Sequence, residues 1–379
     1  MTKNPIRKFI LATTKPTRFR NYLFWYLNNY SLKIYNWIFI ILDRVLCILF
    51  IPVVDLLYFL IKDQRRNVKI QICRYFYYSE QGNTESQEKY FLDDTISEFL
   101  MPDNKFLTFY WDKGQPLLAT SLYFYAYTIY HNPSILLISS YSTNVFYQPP
   151  AWILERIRGR GIKVKALWWD TCSDTFAAHA YELNKCIDVH GVMDNPTLNF
   201  GNSKEALLLK NTSKVLFCPY KILMQSYEKD INVIFIGQTN SYRDIRNEYI
   251  EYLKINNIAF YSSTHERTKQ LPHEDYYKLM FRSKIGINFS SSVDKHQLKG
   301  RVAETMLTGC LLVEERNEQT SHLFSEGEDY VAFSTKEELI EKIKYYQINE
   351  NERKKIAESG RRKAQLLFNG RQFWDTILL

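Results

Sequence analysis

The stretch KGRVAETMLTGCLLV, Lys299 to Val313, decides the fold of the second half of this chain of 379 residues. Gly300 and Arg301 open a turn, and the apolar residues that follow repeat at helical spacing. Gly309 stands where a helix commonly ends with a residue of positive φ. Leu311 to Val313 then has the composition of a short buried strand. The pattern predicts a loop, a helix, a glycine stop and a strand, which together form one unit of an α/β fold.

Three polar residues of this stretch share one face of the predicted helix. Arg301, Glu304 and Thr308 lie at positions i, i+3 and i+7. An acid in the first turn of a helix can accept two sugar hydroxyls while the free backbone N–H groups beside it receive phosphate. The face therefore suits a nucleotide. The alternative is a solvated Glu304 that caps its own helix, which is the commoner role of a first-turn glutamate.

Strands and helices alternate on both sides of this stretch. The predicted strands are Val68 to Tyr75, Phe106 to Trp111, Ser134 to Ser139, Ile162 to Trp169, Ile187 to Met193, Val215 to Pro219, Asn232 to Gly237, Ile258 to Ser262 and Lys284 to Phe289. The predicted helices are Glu88 to Leu100, Leu117 to Tyr130, Ala151 to Arg158, one from Arg243, His273 to Phe281 and Lys336 to Ala364. This alternation predicts parallel sheets whose ligands lie beyond the carboxyl ends of the strands.

Candidate site residues follow three of these strands. Gly237 ends NVIFIG and lets a diphosphate approach the backbone, Gln238 begins the next loop, and Arg243 or Arg246 near the helix start would neutralise the charge. Asp170 follows the strand IKVKALWW at the expected interdomain cleft, where it is either a helix N-cap or a catalytic or acceptor-binding acid. The same two interpretations apply to Asp194, after the strand Ile187 to Met193.

The distribution of charge distinguishes an N-terminal extension from the rest of the chain. Residues 1–69 hold twelve Lys and Arg against three acids, a net charge of +9, whereas the other residues hold 37 basic and 38 acidic groups. The basic charge therefore indicates an electrostatic role of the extension, and we predict no nucleic-acid partner. The six cysteines are scattered, so neither a zinc site nor a disulfide framework is indicated.

The most apolar run of the chain, Trp37 to Ile61, lies within this extension. Its length of 25 residues would permit a membrane crossing, which needs about 20 apolar residues. Asp43, Arg44 and Asp55 inside the run, with a proline between them, disfavour one. We therefore expect helices that lie in, or dip into, an anionic membrane surface. The alternative is a helical hairpin that packs on the first domain.

The C-terminal half resembles the "group 1" glycosyltransferases of the GT-B type, most closely the spore-maturation-protein-like (CgeB-like) group. The resemblance rests on the R-x-x-E segment at Arg301 and Glu304, the glycine stop, LFSEGEDYVAFST (Leu323 to Thr335) and the long helix from Lys336. It implies two facing Rossmann-like domains. The first domain, 67–222, would bind the acceptor, and the second, 223–365, would bind the nucleotide sugar. An apolar and basic extension (1–66) precedes them and a tail (366–379) follows.

The resemblance also implies roles for single residues. Related transferases carry two glutamates separated by seven residues; Glu304 matches the second, but His296 stands at the first. The candidate catalytic residues are Asp170 and His296. The candidate donor-binding residues are Gly237, Gln238, Arg243, Lys299, Arg301 and Glu304.

The expected activity is transfer of a sugar from a nucleotide-sugar donor to a glycan or lipid-linked acceptor. No suitable D-x-D pair occurs, so we expect no metal cofactor, and basic groups would stabilise the leaving diphosphate. The resemblance suggests retention of anomeric configuration, a part in polysaccharide biosynthesis, and a cytoplasmic enzyme held peripherally at the membrane. A phosphotransferase or epimerase on the same architecture, and a non-catalytic membrane-associated protein, remain alternatives.

Overall fold

The first domain is built on a parallel sheet. The computed structural model describes residues 38, 41–60, 71–77, 96, 105–111, 120–139, 150–168, 178, 180–211, 226–237, 244–264, 271–289 and 297–378. Within these residues the first sheet has six strands in the order β2-β1-β3-β4-β5-β6, all paired in parallel. Its strands are β1 (Gln71–Tyr77), β2 (Lys105–Trp111), β3 (Ile135–Ser139), β4 (Lys163–Trp168), β5 (Val189–Val192) and β6 (Leu209–Asn211). Its helices are α1 (residues 41–60), α2 (Thr120–His131), α3 (Ala151–Arg158), α4 (Pro196–Phe200) and α5 (Lys204–Leu208).

The second domain repeats the same topology. Among the described residues its sheet has five parallel strands in the order β11-β10-β9-β7-β8. The strands are β7 (Ile231–Gly237), β8 (Tyr261–Thr264), β9 (Ser283–Asn288), β10 (Leu311–Glu315) and β11 (Val331–Phe333). The helices are α6 (Asp244–Ile255), α7 (His273–Arg282), α8 (Gly300–Leu307), α9 (Glu318–Ser321), α10 (Lys336–Ile348), α11 (Glu350–Leu367) and α12 (Gly370–Leu378). The predicted α/β class with two Rossmann-like sheets is confirmed.

Four element predictions differ from the structure. The strand predicted at Ile258 to Ser262 lies later, at β8, because a turn at residues 256–257 with positive φ at Asn257 follows α6. The single helix predicted from Lys336 to Ala364 is two helices, since Asn349 leaves helical geometry at φ −88°, ψ 65°. Strand β6 was not predicted. The segment 366–379, assigned to a tail, contains α12, whose Phe373 and Trp374 are buried.

Tight packing holds α8 against its sheet. A Cβ added at Gly286 of β9 would lie 2.7 Å from Cγ2 of Thr305 of α8, which is closer than Cβ atoms approach. The glycine therefore lets the helix rest directly on the strand. Gly309 has φ +71°, as the sequence predicts for the helix stop, and the chain turns there into β10. Consequently the first turn of α8 lies at the carboxyl ends of the strands.

The two domains share one hydrophobic cluster and a linker anchor. The cluster joins Leu137 and Leu167 of the first sheet to Met306 of α8 and Trp374 of α12. In the linker, the Lys229 ammonium donates to the carbonyl oxygens of Phe281 (3.0 Å), Ser283 (2.7 Å) and Thr308 (3.2 Å). These carbonyls close the carboxyl ends of α7 and α8. Lys229 thus ties the linker to both helices that flank the candidate site.

Replacing Lys229 with methionine is expected to lower the free energy of unfolding by about 1–3 kcal/mol, because three buried carbonyl oxygens lose a charged donor while the aliphatic stem remains. Urea denaturation measures the change. Lys278→Met is the matched control, since that lysine is 48% exposed and pairs only with acids on its own helix. Equal effects of the two substitutions would contradict the anchoring role.

Helix α1 packs on the first domain. This agrees in part with the alternative of a helical hairpin that packs on that domain. Asp43, Cys47 and Ile51 are buried, and Asp55 pairs with Arg156 and Arg160. In the described part of the chain, no helix combines the length and apolar character that a bilayer crossing requires. The rest of the predicted extension, residues 1–37, 39–40 and 61–66, lies outside the described residues. Three described cysteines, Cys47, Cys186 and Cys310, are buried free thiols.

Candidate functional site

The topology of the second sheet marks one crevice. The chain leaves β7 toward β8 on one side and returns to β9 on the other, so neighbouring strands β7 and β9 form a switch point. Ligands of open parallel sheets bind beyond the carboxyl ends of the strands at such a point. Gly237 is the last residue of β7, and Asn288 is the last residue of β9. These two residues therefore border the expected ligand crevice.

The guanidinium of Arg301 lies across this switch point. A Cβ added at Gly237 would be 3.1 Å from Nη2 of Arg301, so the guanidinium rests against the glycine backbone. Nη1 donates to Oδ1 of Asn288 at 3.3 Å, and the cation lies 5.7 Å from the ring centre of Phe235. Its buried Nε has no hydrogen-bond partner among the described residues. A cation with an unused donor at a crevice suits an anionic ligand.

Glu304 lies one turn further along α8 and faces α7. Its carboxylate is buried, with the residue 7% exposed. The Tyr276 hydroxyl donates to Oε2, and the Tyr277 hydroxyl donates to Oε1 at 3.4 Å. The expectation of a first-turn acid is wrong, because α8 begins at Gly300 and Glu304 is its fifth residue. The alternative of a solvated capping glutamate is wrong as well.

Burial sets the electrostatics of this pair. It raises the pKa of the Glu304 carboxyl, while the Tyr276 hydrogen bond, the Arg301 charge and the Tyr277 hydrogen bond lower it. Burial and the neighbouring Glu304 charge raise the pKa of Tyr276 well above its ordinary value, so its hydroxyl stays protonated and donates. The Arg301 charge lowers the pKa of Tyr276 against these effects. The cation at the switch point therefore acts electrostatically on both Tyr276 and Glu304.

A second buried acid supports the same cation indirectly. Glu314 of β10 is fully buried, and its Oε1 accepts from Nδ2 of Asn288 at 2.8 Å. This bond fixes the Asn288 amide so that its oxygen faces Arg301. Asn288 at the end of β9 therefore connects Glu314 of β10 to Arg301 of α8.

The loop before α8 is held by the first domain. Asp194, 2% exposed, accepts from the backbone N–H of Leu298 at 2.6 Å across the domain interface. Next to it, Lys299 donates to Gln297, whose backbone oxygen accepts from Asn317 at 2.9 Å. The N-cap interpretation of Asp194 is wrong, because Asn195 caps α4. Asp194 instead fixes the backbone that leads into Arg301.

A further polar contact joins the domains beside this loop. The backbone N–H of Asn195 donates to Oε1 of Gln319 at 2.7 Å, and Nε2 of Gln319 donates to Asn199 Oδ1 at 3.2 Å. Nδ2 of Asn195 lies 3.1 Å from Nε2 of His322. The ends of β5 and α9 are therefore held together at the cleft.

The structure brings together only some of the predicted site residues. Gly237 and Arg301 are in contact, the Arg301 charge acts on the buried Glu304 carboxyl, and Lys299 occupies the N-cap position of α8. Arg246 is 2% exposed, and its guanidinium donates to the carbonyl oxygen of Phe289, the residue after β9, at 3.0 Å. Four predicted site residues lie outside the described residues: Asp170, Gln238, Arg243 and His296.

Sequence reasoning missed Tyr276, Asn288 and the role of Asp194. Asn288 had a usable signal, since a polar residue ends an otherwise apolar strand at a carboxyl edge. The two tyrosines of HEDYYKLMF gave none, because their contact with Glu304 depends on how α7 and α8 pack. Within the described residues, no cluster of three or more His, Cys, Asp or Glu could hold a metal ion.

Comparison with known proteins identifies the second domain. Residues 224–378 match the sequence profile of a family described as "Glycosyl transferase-like". This range contains every element of the crevice from β7 to α12. A search of curated proteins gives no significant match. The second domain is therefore similar in sequence to the members of that family.

Solved structures share the whole architecture at low sequence identity. HepE from Anabaena, in complex with UDP and glucose, superposes with a TM-score of 0.52 at 11% identity, covering 82% of this chain and 98% of that one. Sucrose-phosphate synthase from Thermosynechococcus elongatus gives 0.56 at 10% identity, covering 82% and 96%. A protein assigned as a UDP-N-acetylglucosamine 2-epimerase from Listeria monocytogenes gives 0.50 at 12%, covering 82% and 95%. The chain therefore has the two-domain GT-B fold.

Proposed function

We propose that this protein is a glycosyltransferase that moves a sugar from a nucleotide-sugar donor to a glycan or lipid-linked acceptor. The observation that carries the proposal is the Arg301 guanidinium, which spans Gly237 and Asn288 at the switch point of a glycosyl transferase-like domain. A diphosphate in this crevice would meet a glycine backbone and a cation with an unused donor. HepE, which has the same fold, was crystallised with UDP-glucose, and this supports a nucleotide sugar as the ligand.

The donor would lie along α8 and the end of β7. In this arrangement the diphosphate contacts Gly237, Gln238, Arg243, Lys299 and Arg301. Glu304 accepts hydrogen bonds from the ribose hydroxyls. Two oxygens of a carboxylate offer about four acceptor positions, so Glu304 can serve the ribose while it holds both tyrosine hydroxyls. The two tyrosines then orient the carboxylate for the sugar.

Catalysis in this proposal rests on charge stabilisation and positioning. The leaving nucleoside diphosphate gains negative charge as the bond from its terminal oxygen to the anomeric carbon breaks and the acceptor oxygen bonds to that carbon. Arg301 with Arg243 and Lys299 would stabilise this charge without a metal ion. Asp170 and His296 are proposed to act at the sugar and the acceptor. The interdomain bond between Asp194 and the Leu298 backbone supports this arrangement, because it fixes the donor loop relative to the acceptor domain.

The finer assignments belong to the same proposal. They are retention of configuration, membership of the spore-maturation-protein-like subgroup, polysaccharide biosynthesis, and a cytoplasmic enzyme held peripherally at an anionic membrane. The resemblance of the R-x-x-E segment supports the subgroup, and the net charge of +9 in residues 1–69 supports the membrane association.

Thermal unfolding with a panel of nucleoside diphosphates tests the proposed donor class, starting with UDP. A ligand at 100 times its dissociation constant should add about 2.7 kcal/mol to the free energy of unfolding, and nucleosides without phosphate should add much less. Release of the nucleoside diphosphate from a nucleotide sugar should then depend on added acceptor. Stabilisation by no nucleotide would contradict the transferase. An epimerised nucleotide sugar, formed without acceptor, would identify an epimerase instead.

A further inference from the structure

Helix α1 has one face that is fixed to the first domain by polar bonds. Asp43 Oδ1 accepts from the backbone N–H of Ser121 at 3.1 Å. Three turns later, Asp55 accepts from the Tyr125 hydroxyl at 2.5 Å and pairs with the guanidinium groups of two arginines of the domain. Cys47 and Ile51 lie between the two acids at a spacing of four residues and are buried. Both acids of the helix therefore face the protein.

The opposite face of α1 is apolar and exposed. Eleven large apolar side chains of this helix are 43–69% exposed: Ile41, Leu42, Val45, Ile48, Leu49, Phe50, Val53, Leu56, Leu57, Phe59 and Leu60. They follow one another along the 20 residues of the helix as a continuous surface. We call this surface the apolar face of α1. Monomeric soluble proteins rarely expose apolar patches of this extent, and such patches mark contacts with other molecules or with membranes.

Charge complementarity identifies the partner. Residues 1–40 contain seven Lys and Arg and no acid, and residues 61–69 contain four basic residues and one acid. The apolar face is thus flanked along the chain by positive charge, and its own two acids point away from it. An anionic lipid surface complements this arrangement, because basic residues bind the headgroups while apolar side chains enter the acyl boundary. Two copies of the chain would instead bring like charges together.

We propose that α1 lies in the plane of an anionic bilayer, with its apolar face embedded and its Asp43 and Asp55 face bound to the catalytic body. The inference rests on the proposed membrane association and gives it a geometry. The helix rests on the membrane and does not cross it. Because two acids at opposite ends of the helix are tied to the domain, the body has a fixed orientation on the bilayer.

This orientation also bears on the kind of acceptor that the cleft can reach. Helix α2 connects parallel strands, so it runs from the carboxyl edge of the first sheet back to its amino edge. Asp43 contacts Ser121 in the first turn of α2, and the Tyr58 hydroxyl contacts Asn132 just beyond its last residue. The start of α1 therefore lies beside the carboxyl edge, which borders the interdomain cleft. An in-plane α1 would hold the cleft at the bilayer surface, which fits a lipid-linked acceptor.

Vesicle co-sedimentation of the full chain tests the proposal. The wild type should bind phosphatidylcholine vesicles that contain about 30 mol % phosphatidylglycerol, and a fraction should stay bound in about 0.5 M NaCl, because embedded apolar groups are not screened by salt. Leu49→Glu/Leu56→Glu places two charges on the apolar face, where each leucine is 61% exposed, and should weaken binding by about tenfold or more. Leu207→Glu/Leu366→Glu is the matched control, since both leucines are 72% exposed elsewhere, and should bind as the wild type does.

Three outcomes would overturn the proposal. Unchanged binding of the Leu49→Glu/Leu56→Glu variant, with a melting temperature equal to that of the control, would remove the apolar face from the membrane contact. Complete release of the wild type by salt would leave only electrostatic attraction. If the wild type formed a dimer and did not bind vesicles, and if this variant were a monomer, the apolar face would be assigned to contact with a second copy of the chain. Nucleotide binding of the same variants reports on the transferase site separately, so failure of the proposed activity leaves the vesicle result interpretable.

Discussion

Replacing Arg301 with methionine is expected to weaken the binding of a nucleoside diphosphate by about one to two orders of magnitude. A charge-assisted hydrogen bond contributes about 1.5–3 kcal/mol, and methionine keeps the aliphatic stem while it removes every donor. Binding of the corresponding nucleoside should change little, because Arg301 lies at the strand ends beside Gly237 and is assigned to the diphosphate. Isothermal titration with both ligands measures the difference.

Arg282→Met is the matched control for this experiment. Arg282 ends α7 and pairs with Asp230 at the surface of the same domain, so its loss should leave both affinities unchanged. Melting temperatures of the two variants separate a binding defect from unfolding. Equal loss of nucleoside and nucleoside diphosphate binding in Arg301→Met would remove this cation from the phosphate site, and Arg243 would become the leading candidate.

The sequence predicted the fold class well because helices and strands produce local, periodic patterns of apolar residues. Helix α3 has the predicted bounds, Ala151–Arg158, because Pro150 precedes it and glycines follow it. The positive φ of Gly309 was predicted from its position after an apolar helical repeat. Except for β6 and β11, the strands of both sheets were found as short apolar runs between helices. Such signals depend on neighbours along the chain, which the sequence displays directly.

The contacts of the site were not predictable in the same way. Glu304 is 28 residues from Tyr276, and Asp194 is 104 residues from Leu298. The first pair meets only after α7 and α8 have packed, and the second only after the two domains have, so no spacing in the chain reveals either. The first-turn position expected for Glu304 was wrong because α8 already begins at Gly300, a residue that the sequence analysis placed in the preceding turn. The residues that carry these contacts became evident from packing alone.

The acids of α1 have a structural role that the sequence argument did not include. Asp43 and Asp55 were weighed only as charges that oppose a membrane crossing. In the structure both are bonded to the first domain, and Asp55 also accepts from Tyr125. Burial raises the pKa of Asp43, whose carboxyl stays bonded to the α2 backbone. Their role is to attach the helix, which leaves its other face apolar.

Replacing Glu304 with glutamine is expected to weaken binding of a nucleoside diphosphate by about tenfold or more without unfolding the protein. The amide keeps the size of the side chain and one oxygen, but it replaces the charged acceptor that the proposed ribose contact uses. The hydroxyls of Tyr276 and Tyr277 can turn to accept from the new amide, so the fold should hold. Titration calorimetry and thermal unfolding together test both parts of this expectation.

A comparison of ligands and pH makes the Glu304 test specific to the ribose. A 2′,3′-dideoxy nucleotide lacks both hydroxyls and should bind wild type and Glu304→Gln alike. Burial raises the pKa of the Glu304 carboxyl and outweighs the opposing effects of Arg301 and the two tyrosines. As the pH falls from neutral, Glu304 therefore becomes protonated at a higher pH than an ordinary glutamate. The wild-type advantage over Glu304→Gln should therefore shrink as pH falls. An advantage that persists with the dideoxy ligand, or an affinity for the normal nucleotide that the substitution leaves unchanged, would make Glu304 a structural residue that only holds α7 against α8.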